Sequence, residues 1–338
     1  MAVNARQWVL KQRPSGAVEE QHFQQQTVSL DAQSLQNGEC LAETLWLGFE
    51  PAMRGWLDDV KSYLPPVAIG EVMRAPTVCR ILESRHPEWQ AGDLLMGLTG
   101  WQDFALLNEA TLAECQKLPT ETPPNMALSI FGGTSLTAWF GLMDVGQPKA
   151  GETVLVSGAA GATGSVVCQI AKHQGCHVIG LAGSADKCQW LTETCGIDIA
   201  INYRDADWLT QLQAAAGDGI DLFFDNVGGE TLEAGIDNMS DHGRIVLCGA
   251  ISQYNSEQPS GPRNMMQVIA RRLRLQGFIM LDYVDRMNEA MDALLPLVME
   301  GKLHWREDVQ TGFENIPATF IRLFRGDNQG KQLLQLKD

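Results

Sequence analysis

The sequence predicts an α/β protein that combines a mainly β domain with a doubly wound parallel sheet. Three observations predict it. After about residue 150, apolar strand candidates alternate with helical patterns, which is the rhythm of parallel βαβ units with right-handed crossovers. A glycine-studded turn, VSGAAGATGSVVCQIAK, contains the end of the first of these strands and the start of a helix. Residues 1 to about 125 instead carry short strand-like runs broken by Gly and Pro.

The N-terminal region contains three clear strand-like stretches between irregular loops. They are ECLAETLWLGF, GEVMRAPTVCRILES and GDLLMGLTGWQDFALL, at residues 39–49, 70–84 and 92–107. We expect these stretches to form the β domain.

Six apolar runs are predicted as the strands of the second domain. They are Thr153–Ser157, His177–Ala182, Ile197–Asn202, Asp221–Asp225, Arg244–Cys248 and Arg274–Met280. Among the helical patterns between them, SADKCQWLTETCG (184–196) has a Ser at the N-cap position and ends in Gly, and DADWLTQLQAAAG (205–217) also ends in Gly. Six strands is the number in a complete dinucleotide-binding sheet.

The chain changes character again after about residue 300. A predicted helix, Pro317–Arg325, precedes a last strand-like run. We expect this tail to return and complete the first domain. The predicted domains are therefore residues 1–125 with 305–338, and residues 126–304, with a cleft between them.

The glycine turn is suited to hold a pyrophosphate. Gly158, Gly161 and Gly164 carry no Cβ that would keep a phosphate or the following helix away. The helix at about residues 163–173 directs its N-terminal amides and partial positive charge at the anion. Because Ala159 stands first, the motif reads A-x-G-x-x-G, and alone it is also compatible with a tight turn that binds nothing. Its position after the first of six strands favours a nucleotide site.

The end of the second strand indicates which dinucleotide binds. NAD sites usually have an acidic residue there, whereas this strand ends in GLAGSADK, with Ala182, Gly183 and Ser184. Lys187 follows one turn into the next helix, and a missing carboxylate with a nearby cation suits the 2′-phosphate of NADPH. We interpret Asp186 as first-turn helix charge that points away from the ribose.

Composition narrows the function classes. The 338 residues are 45% apolar, enough for a large core, and their number suggests two domains. A net charge of −16 leaves no basic footprint for nucleic acid. The N-terminus lacks a signal-like apolar core, and no apolar run is long enough to span a membrane. The eight cysteines are scattered, without zinc-ligand spacing, so we expect reduced thiols in a cytoplasmic protein.

Blocks along nearly the whole chain resemble the zinc-independent medium-chain dehydrogenases/reductases, in the branch of prostaglandin reductases, alkenal double-bond reductases and bacterial curcumin reductases. The blocks are EPAMRG (50–55), GWQDFA (100–105), TAWFGLMDVGQPKAGETVLVSGAAGATGSVVCQIAK (137–172), GSADKC (183–188), DNVGG (225–229), CGAISQYN (248–255), RLRLQGFI (272–279) and GDNQGK (326–331). The resemblance implies a GroES-like β domain plus a Rossmann domain, a homodimer, and NADPH-dependent reduction of activated carbon–carbon double bonds in a small-molecule electrophile.

The resemblance also implies roles for individual residues. The predicted coenzyme contacts are Gly161, Ala162, Thr163 and Gly164 at the turn, Ser184 and Lys187 at the 2′-phosphate, Tyr203 at the adenosine, Asn226 near the ribose and nicotinamide, Cys248, Ser252 and Phe278 along the coenzyme channel, and Asn328 from the C-terminal tail. Because Tyr203 and Arg204 follow the third strand, both are also candidates to flank the adenine.

The chain departs from the pattern of this branch at two places, and it also lacks the ligands of zinc-dependent enzymes. Ala52 replaces a pocket tyrosine in the block Asp-Pro-Tyr-Met-Arg-Gly, which predicts a wider pocket. FGGTSLTAW (131–139) replaces Gly-Met-Pro-Gly-Leu-Thr-Ala-Tyr, a segment that approaches the active site in relatives. Zinc alcohol dehydrogenases have Gly-His-Glu where this chain has Ile69-Gly70-Glu71, and the four-cysteine structural-zinc run is also missing. We therefore expect hydride transfer without a metal.

The predicted reaction needs a hydrogen-bond donor for the enolate oxygen that forms as hydride reaches the β-carbon. Tyr254 lies in CGAISQYN, after the fifth strand, at the sheet edge where ligands bind in such folds. We expect Tyr254 to be this catalytic donor, with a ribose hydroxyl or water as proton source; the alternative is that it only walls the pocket. Tyr63, in SYLPP, is a second pocket candidate. Quinone reduction and NADPH binding without turnover are the alternative functions.

Overall fold

The computed structural model describes residues 2–337. The chain divides into two compact units. The first unit extends to Ser129 and resumes at Glu307, and the second unit is Ile130–Arg306. The second unit is therefore inserted between two stretches of the first.

The described part of the chain contains both β-strands and α-helices. Within residues 2–337 the strands are β1 (Ala2–Leu10), β2 (Phe23–Asp31), β3 (Cys40–Gly48), β4 (Thr77–Ser84), β5 (Leu94–Gly97), β6 (Phe104–Leu107), β7 (Gln116–Leu118), β8 (Thr153–Val156), β9 (His177–Ala182), β10 (Ile199–Asn202), β11 (Ile220–Asp225), β12 (Met239–Leu247), β13 (Arg274–Gly277), β14 (Glu307–Thr311) and β15 (Lys331–Gln335). The α-helices are α1 (Glu109–Ala113), α2 (Pro124–Leu128), α3 (Gly133–Phe140), α4 (Ala162–His173), α5 (Ala185–Glu193), α6 (Trp208–Ala216), α7 (Gly229–Asp237), α8 (Met265–Ala270), α9 (Met287–Met299) and α10 (Ile316–Arg325). A π-helical segment, Gly141–Gly146, continues α3. In the described part of the chain, no helix combines the length and the apolar character needed to cross a bilayer.

The first unit is mainly β, as predicted. Its larger sheet has the order β14-β15-β3-β4-β5-β7, with β6 also paired to β3, and β1 and β2 form a separate antiparallel pair. The C-terminal tail enters this sheet because β15 pairs with β3, with Leu334 opposite Leu47. Trp101 is fully buried in an aromatic core, 4.8 Å from the Phe23 ring and 5.7 Å from the Phe320 ring.

The second unit contains the predicted doubly wound sheet. Its six strands are all parallel to their neighbours and have the order β10-β9-β8-β11-β12-β13. Numbered within the unit, this is 3-2-1-4-5-6, the order of the Rossmann fold. Leu155, Ile179 and Phe223 of the central strands lie in one buried cluster with residues of the flanking helices. The carboxyl ends of the strands therefore lie along one edge, where ligands bind in such sheets.

Most helix and strand predictions are confirmed to within a residue or two, and two strands differ more widely in extent. Ser184 caps α5, with its Oγ accepting the amide hydrogen of Lys187 at 3.3 Å, and Gly217 ends α6. The predicted fifth strand begins too late, because Met239 already pairs with Ile220 of β11.

The predicted sixth strand, Arg274–Met280, continues too far. Only its first four residues pair with β12. The chain then leaves the sheet at Phe278, whose ring packs on Gly141 and lies 6.4 Å from the ring of Phe224.

Candidate active site

The turn between β8 and α4 requires glycine for steric reasons. Gly158 has φ +59°, in the left-handed region, and its carbonyl accepts the amide hydrogen of Gly161 at 2.9 Å. A Cβ on Gly164 would overlap that same carbonyl oxygen and lie 2.9 Å from Cα of Ala159. Since both obstacles are backbone atoms, only glycine lets α4 begin this close to the turn.

The start of α4 fits the diphosphate of a dinucleotide. Gly161 is the N-cap and carries no side-chain cap, while a Cβ there would lie 3.1 Å from the Gly158 carbonyl oxygen. The first amides of a helix, here those of Ala162, Thr163 and Gly164, have no acceptor within the helix. They lie at the positive end of the helix dipole, so this bare-backbone cradle suits an anion.

Residues predicted for the adenosine side meet at the ends of β9 and β10. Ser184 and Lys187 occupy the cap and first turn of α5, and both are partly buried. The Tyr203 ring lies against Gly183, where a Cβ would come within 2.7 Å of the phenol oxygen. Asp186 lies in the first turn of α5, as predicted, and is exposed; that it points away from the ribose stays a prediction. This corner therefore presents a hydroxyl, a lysine and an aromatic ring.

The loop after β11 is held by a buried carboxylate. Asp225, with 0% of its surface exposed, accepts hydrogen bonds from Ser157 Oγ (2.6 Å) and from the amides of Val227 (3.1 Å) and Gly228 (3.0 Å). Ser157 Oγ in turn accepts the amide hydrogen of Asn226 at 2.9 Å, and Asn226 Nδ2 donates to the Ser157 carbonyl at 2.8 Å. Burial raises the pKa of Asp225, while these three donors act against the shift.

The loop after β12 rests on the loop after β11. The amide and the Oγ of Ser252 both donate to the Val227 carbonyl, at 3.1 and 2.7 Å. Tyr254 folds back over the start of its own loop, where its phenol oxygen accepts the amide hydrogen of Ala250 at 3.1 Å. Burial raises the pKa of the Cys248 thiol to about 12, with the charge of nearby Asp225 adding to the shift. Cys248 is therefore a neutral thiol.

Phe278 keeps its place because Gly141 has no side chain. A Cβ on Gly141 would overlap the Phe278 ring. The ring also makes an edge contact with Tyr283, with centroids 6.4 Å apart. Phe278 is thus fixed by a glycine of the π-helical segment, just beyond the end of β13.

Two predicted site residues belong to the first unit, whereas all the others belong to the second. Tyr63 is 44% exposed, and its phenol oxygen accepts a hydrogen bond from Trp56 Nε1 at 3.2 Å. Asn328 is partly buried, and its Nδ2 donates to the Gly330 carbonyl at 2.8 Å. Their assignments to the pocket and to the coenzyme stay predictions.

In the first unit, Gly70 stands where zinc alcohol dehydrogenases have a zinc-ligand histidine, and its backbone conformation favours glycine. Gly70 has φ +89°, which a histidine adopts only with strain, and its amide donates to the Leu10 carbonyl at 2.7 Å. Throughout residues 2–337, no three His, Cys, Asp or Glu side chains are grouped as metal ligands.

Sequence reasoning gave no role to Ser157 and Asp225, which join three loops at the carboxyl edge. Each residue lies at the end of a buried strand, one after β8 and one closing β11. The available signal was a polar residue at the carboxyl end of each of these two buried strands. Their separation of 68 positions along the sequence conceals the pairing until the sheet order is known.

Comparison with known proteins agrees with this geometry. Residues 6–115 match the family described as N-terminal domain of oxidoreductase, and residues 162–296 match the family described as zinc-binding dehydrogenase.

The NADPH-dependent curcumin reductase of Escherichia coli is 40% identical over 98% of this chain and 96% of its own. Prostaglandin reductase 1 of Bos taurus is 40% identical over 98% and 99%. The crystal structure of CurA from Vibrio vulnificus in complex with NADPH matches with a TM-score of 0.92 at 40% identity, over 98% of this chain and 99% of that one. The chain therefore belongs to the zinc-independent medium-chain dehydrogenases/reductases, in the branch that contains these reductases.

Proposed function

We propose that the protein is an NADPH-dependent reductase of carbon–carbon double bonds conjugated to a ketone or aldehyde. The observation that carries the proposal is the glycine cradle before α4 together with an acid-free end of β9, where Ser184 and Lys187 follow. The relatives support both parts of it. One is named an NADPH-dependent curcumin reductase and another a prostaglandin reductase.

The coenzyme side of the site follows from the residues described above. NADPH, when bound, supplies the hydride. The amides of Ala162, Thr163 and Gly164 hold the diphosphate without a cationic side chain. Ser184 and Lys187 take the 2′-phosphate, since a hydroxyl and an ammonium group are both donors to phosphoryl oxygens. The choice of NADPH over NADH is thus made at the start of α5.

On the substrate side, the chain has to stabilise an enolate oxygen. Tyr254 can donate a hydrogen bond while neutral, so it does not need a charge on the enzyme. Its phenol oxygen already accepts the Ala250 amide hydrogen, and a hydroxyl that accepts a hydrogen bond is a stronger donor. Tyr254 therefore acts as the electrostatic stabiliser of the developing oxyanion.

A panel of electron acceptors tests this function. The purified protein is given an enone, an alkenal or a quinone, each with NADPH and with NADH, and coenzyme oxidation is followed by absorbance. We expect turnover of the enone and the alkenal with NADPH, and much weaker turnover with NADH. Turnover of the quinone alone would instead identify a quinone reductase, and NADPH binding without any turnover would identify a non-catalytic relative.

We also propose that the protein is a homodimer formed through the β13 edge of the second unit. Within residues 2–337, β13 pairs with β12 alone, so its other edge has unpaired backbone groups. Helix α8, just before it in the chain, exposes Met266 (72%) and Ile269 (68%). An open strand edge that follows a helix with exposed apolar side chains suits pairing with a second copy of the chain.

A further inference from the structure

Three loops at the carboxyl edge of the second unit meet at one buried residue, Asp225. The loop after β8 begins at Ser157, which hydrogen-bonds to the Asp225 carboxylate. In the loop after β11, the amides of Val227 and Gly228 donate hydrogen bonds to the same carboxylate. The loop after β12 donates the amide of Cys248 to the Asp225 carbonyl at 2.9 Å.

The contacts suit an ionised carboxylate, because each partner of the Asp225 side chain is a donor. The Ser157 hydroxyl and the amides of Val227 and Gly228 all point their hydrogens at it. An ionised carboxylate can only accept hydrogen bonds, so its partners match it in donor and acceptor role as well as in distance. A buried charge is tolerated where donors satisfy it in this way.

The network continues to Asn226 and Ser252, two of the residues predicted to contact the coenzyme. Ser157 Oγ, which donates to Asp225, also accepts the amide hydrogen of Asn226. The Val227 carbonyl accepts both donors of Ser252, in the loop that ends with Tyr254. In contrast, Ser184 is held by capping α5, a contact in which Asp225 has no part.

We propose that Asp225 is a positioning residue for the nicotinamide half of the coenzyme site. It acts through Asn226 and the 248–254 loop, and it touches neither coenzyme nor substrate. The inference rests on the proposed NADPH function. Loss of the carboxylate therefore weakens binding of the whole coenzyme but spares a fragment that contains only the phosphorylated adenosine.

The test compares two nucleotides on two variants by titration calorimetry. Asp225→Asn keeps the size of the side chain but removes its charge, and with the amide oxygen facing Ser157 and Val227 its NH2 group faces the Gly228 amide, which is itself a donor. We expect the Kd of NADPH to rise about tenfold, as expected for hydrogen bonds to a charged group, while the Kd of 2′,5′-ADP changes by less than about twofold. Equal losses for both nucleotides, or no loss for NADPH, would overturn the proposal.

Asp221→Asn is the matched control, because Asp221 lies on the same strand and its carboxylate also bonds β8, accepting the Thr153 amide hydrogen at 2.9 Å. It lies at the opposite end of β11, so neither Kd should change. If Asp225→Asn does not fold, Ser157→Ala replaces it, with the same expected pattern and the same overturning results.

Amide hydrogen exchange gives a readout that needs no coenzyme. Exchange within residues 226–229 should be faster in Asp225→Asn than in the parent and Asp221→Asn, because the amides of Val227 and Gly228 donate to the carboxylate. Exchange within 248–254 should rise with it, because amides of that loop donate to backbone carbonyls of residues 225–227. Unchanged exchange there would contradict the inference. A parent protein that binds neither nucleotide would contradict the proposed function instead, and the exchange comparison would still decide the role of Asp225.

Discussion

Lys187 is the residue from which we expect the preference for NADPH over NADH. Lys187→Ala removes the ammonium group from the first turn of α5 and leaves the Ser184 cap, whose partner is a backbone amide. A lost hydrogen bond to a charged group costs about 1.5–3 kcal/mol, so the Kd of NADPH should rise roughly tenfold or more. The Kd of NADH should stay the same. Titration calorimetry measures both.

The control for this variant is Lys302→Ala, which removes a lysine paired with Glu300 at the surface of the same unit. It should leave both coenzyme affinities unchanged. NADPH binding by Lys187→Ala that equals the parent's would remove the basis for the assigned coenzyme preference.

Tyr254 tests the proposed chemistry at the same scale. Tyr254→Phe keeps the ring but removes the oxygen that accepts the Ala250 amide hydrogen. Removing an oxyanion donor typically lowers kcat by about a hundredfold or more, and we expect a loss of that size with the NADPH affinity retained. Steady-state kinetics with an enone, together with a binding titration, separates the two quantities.

Tyr283→Phe is the matched control, because it removes a phenol from the same unit where the ring stacks on Phe140, with centroids 4.5 Å apart. Its turnover should equal the parent's. Full turnover by Tyr254→Phe would reduce Tyr254 to a wall of the pocket.

At the scale of elements, the contact between the glycine turn and α4 should tolerate no side chain at Gly164. Alanine is the better helix former by about 1 kcal/mol, yet its Cβ would overlap the Gly158 carbonyl oxygen. Because the obstacle is backbone, the helix has to shift, and overpacking of this kind costs about 1–3 kcal/mol. We expect Gly164→Ala to lower the Tm and to weaken NADPH binding, as shown by thermal melts and calorimetry.

Gly261→Ala is the comparison for this substitution, since a Cβ at Gly261 has no neighbour within 4 Å. It should leave the Tm and the affinity unchanged. A Gly164→Ala protein as stable as Gly261→Ala would show that the turn is looser than its geometry indicates.

The elements that could be predicted from sequence are those with local causes. The Ser184 cap, the Gly217 stop and the glycine turn each depend on residues a few positions apart. The extent of β12 and β13 could not be predicted, because it is decided by pairing between strands distant in sequence. The Asp225 network escaped prediction for the same reason, since its partner Ser157 lies on another strand.

For the whole molecule, the edge of the six-stranded sheet decides the expected assembly. The edge strands of this parallel sheet are β10 and β13. Helix α8, which carries exposed apolar side chains, comes just before β13 in the sequence. A dimer would cover Met266 and Ile269 and pair the open strand. Replacing both residues with lysine places two charges on each side of that interface, so we expect the double variant to sediment as a monomer.

Analytical ultracentrifugation of the parent and the double variant Met266→Lys/Ile269→Lys measures this. Leu209→Lys is the control, because Leu209 is an exposed apolar residue (48%) on α6, the helix that packs on β10 at the other end of the sheet. It should leave the dimer intact, since a charge there does not touch the β13 edge. Because the Gly158–Gly164 cradle and the Asp225 network lie within a single second unit, the monomeric variant should still bind NADPH. A parent that sediments as a monomer would contradict the proposed dimer, whereas a dimer unaffected by both lysines would place the interface away from β13.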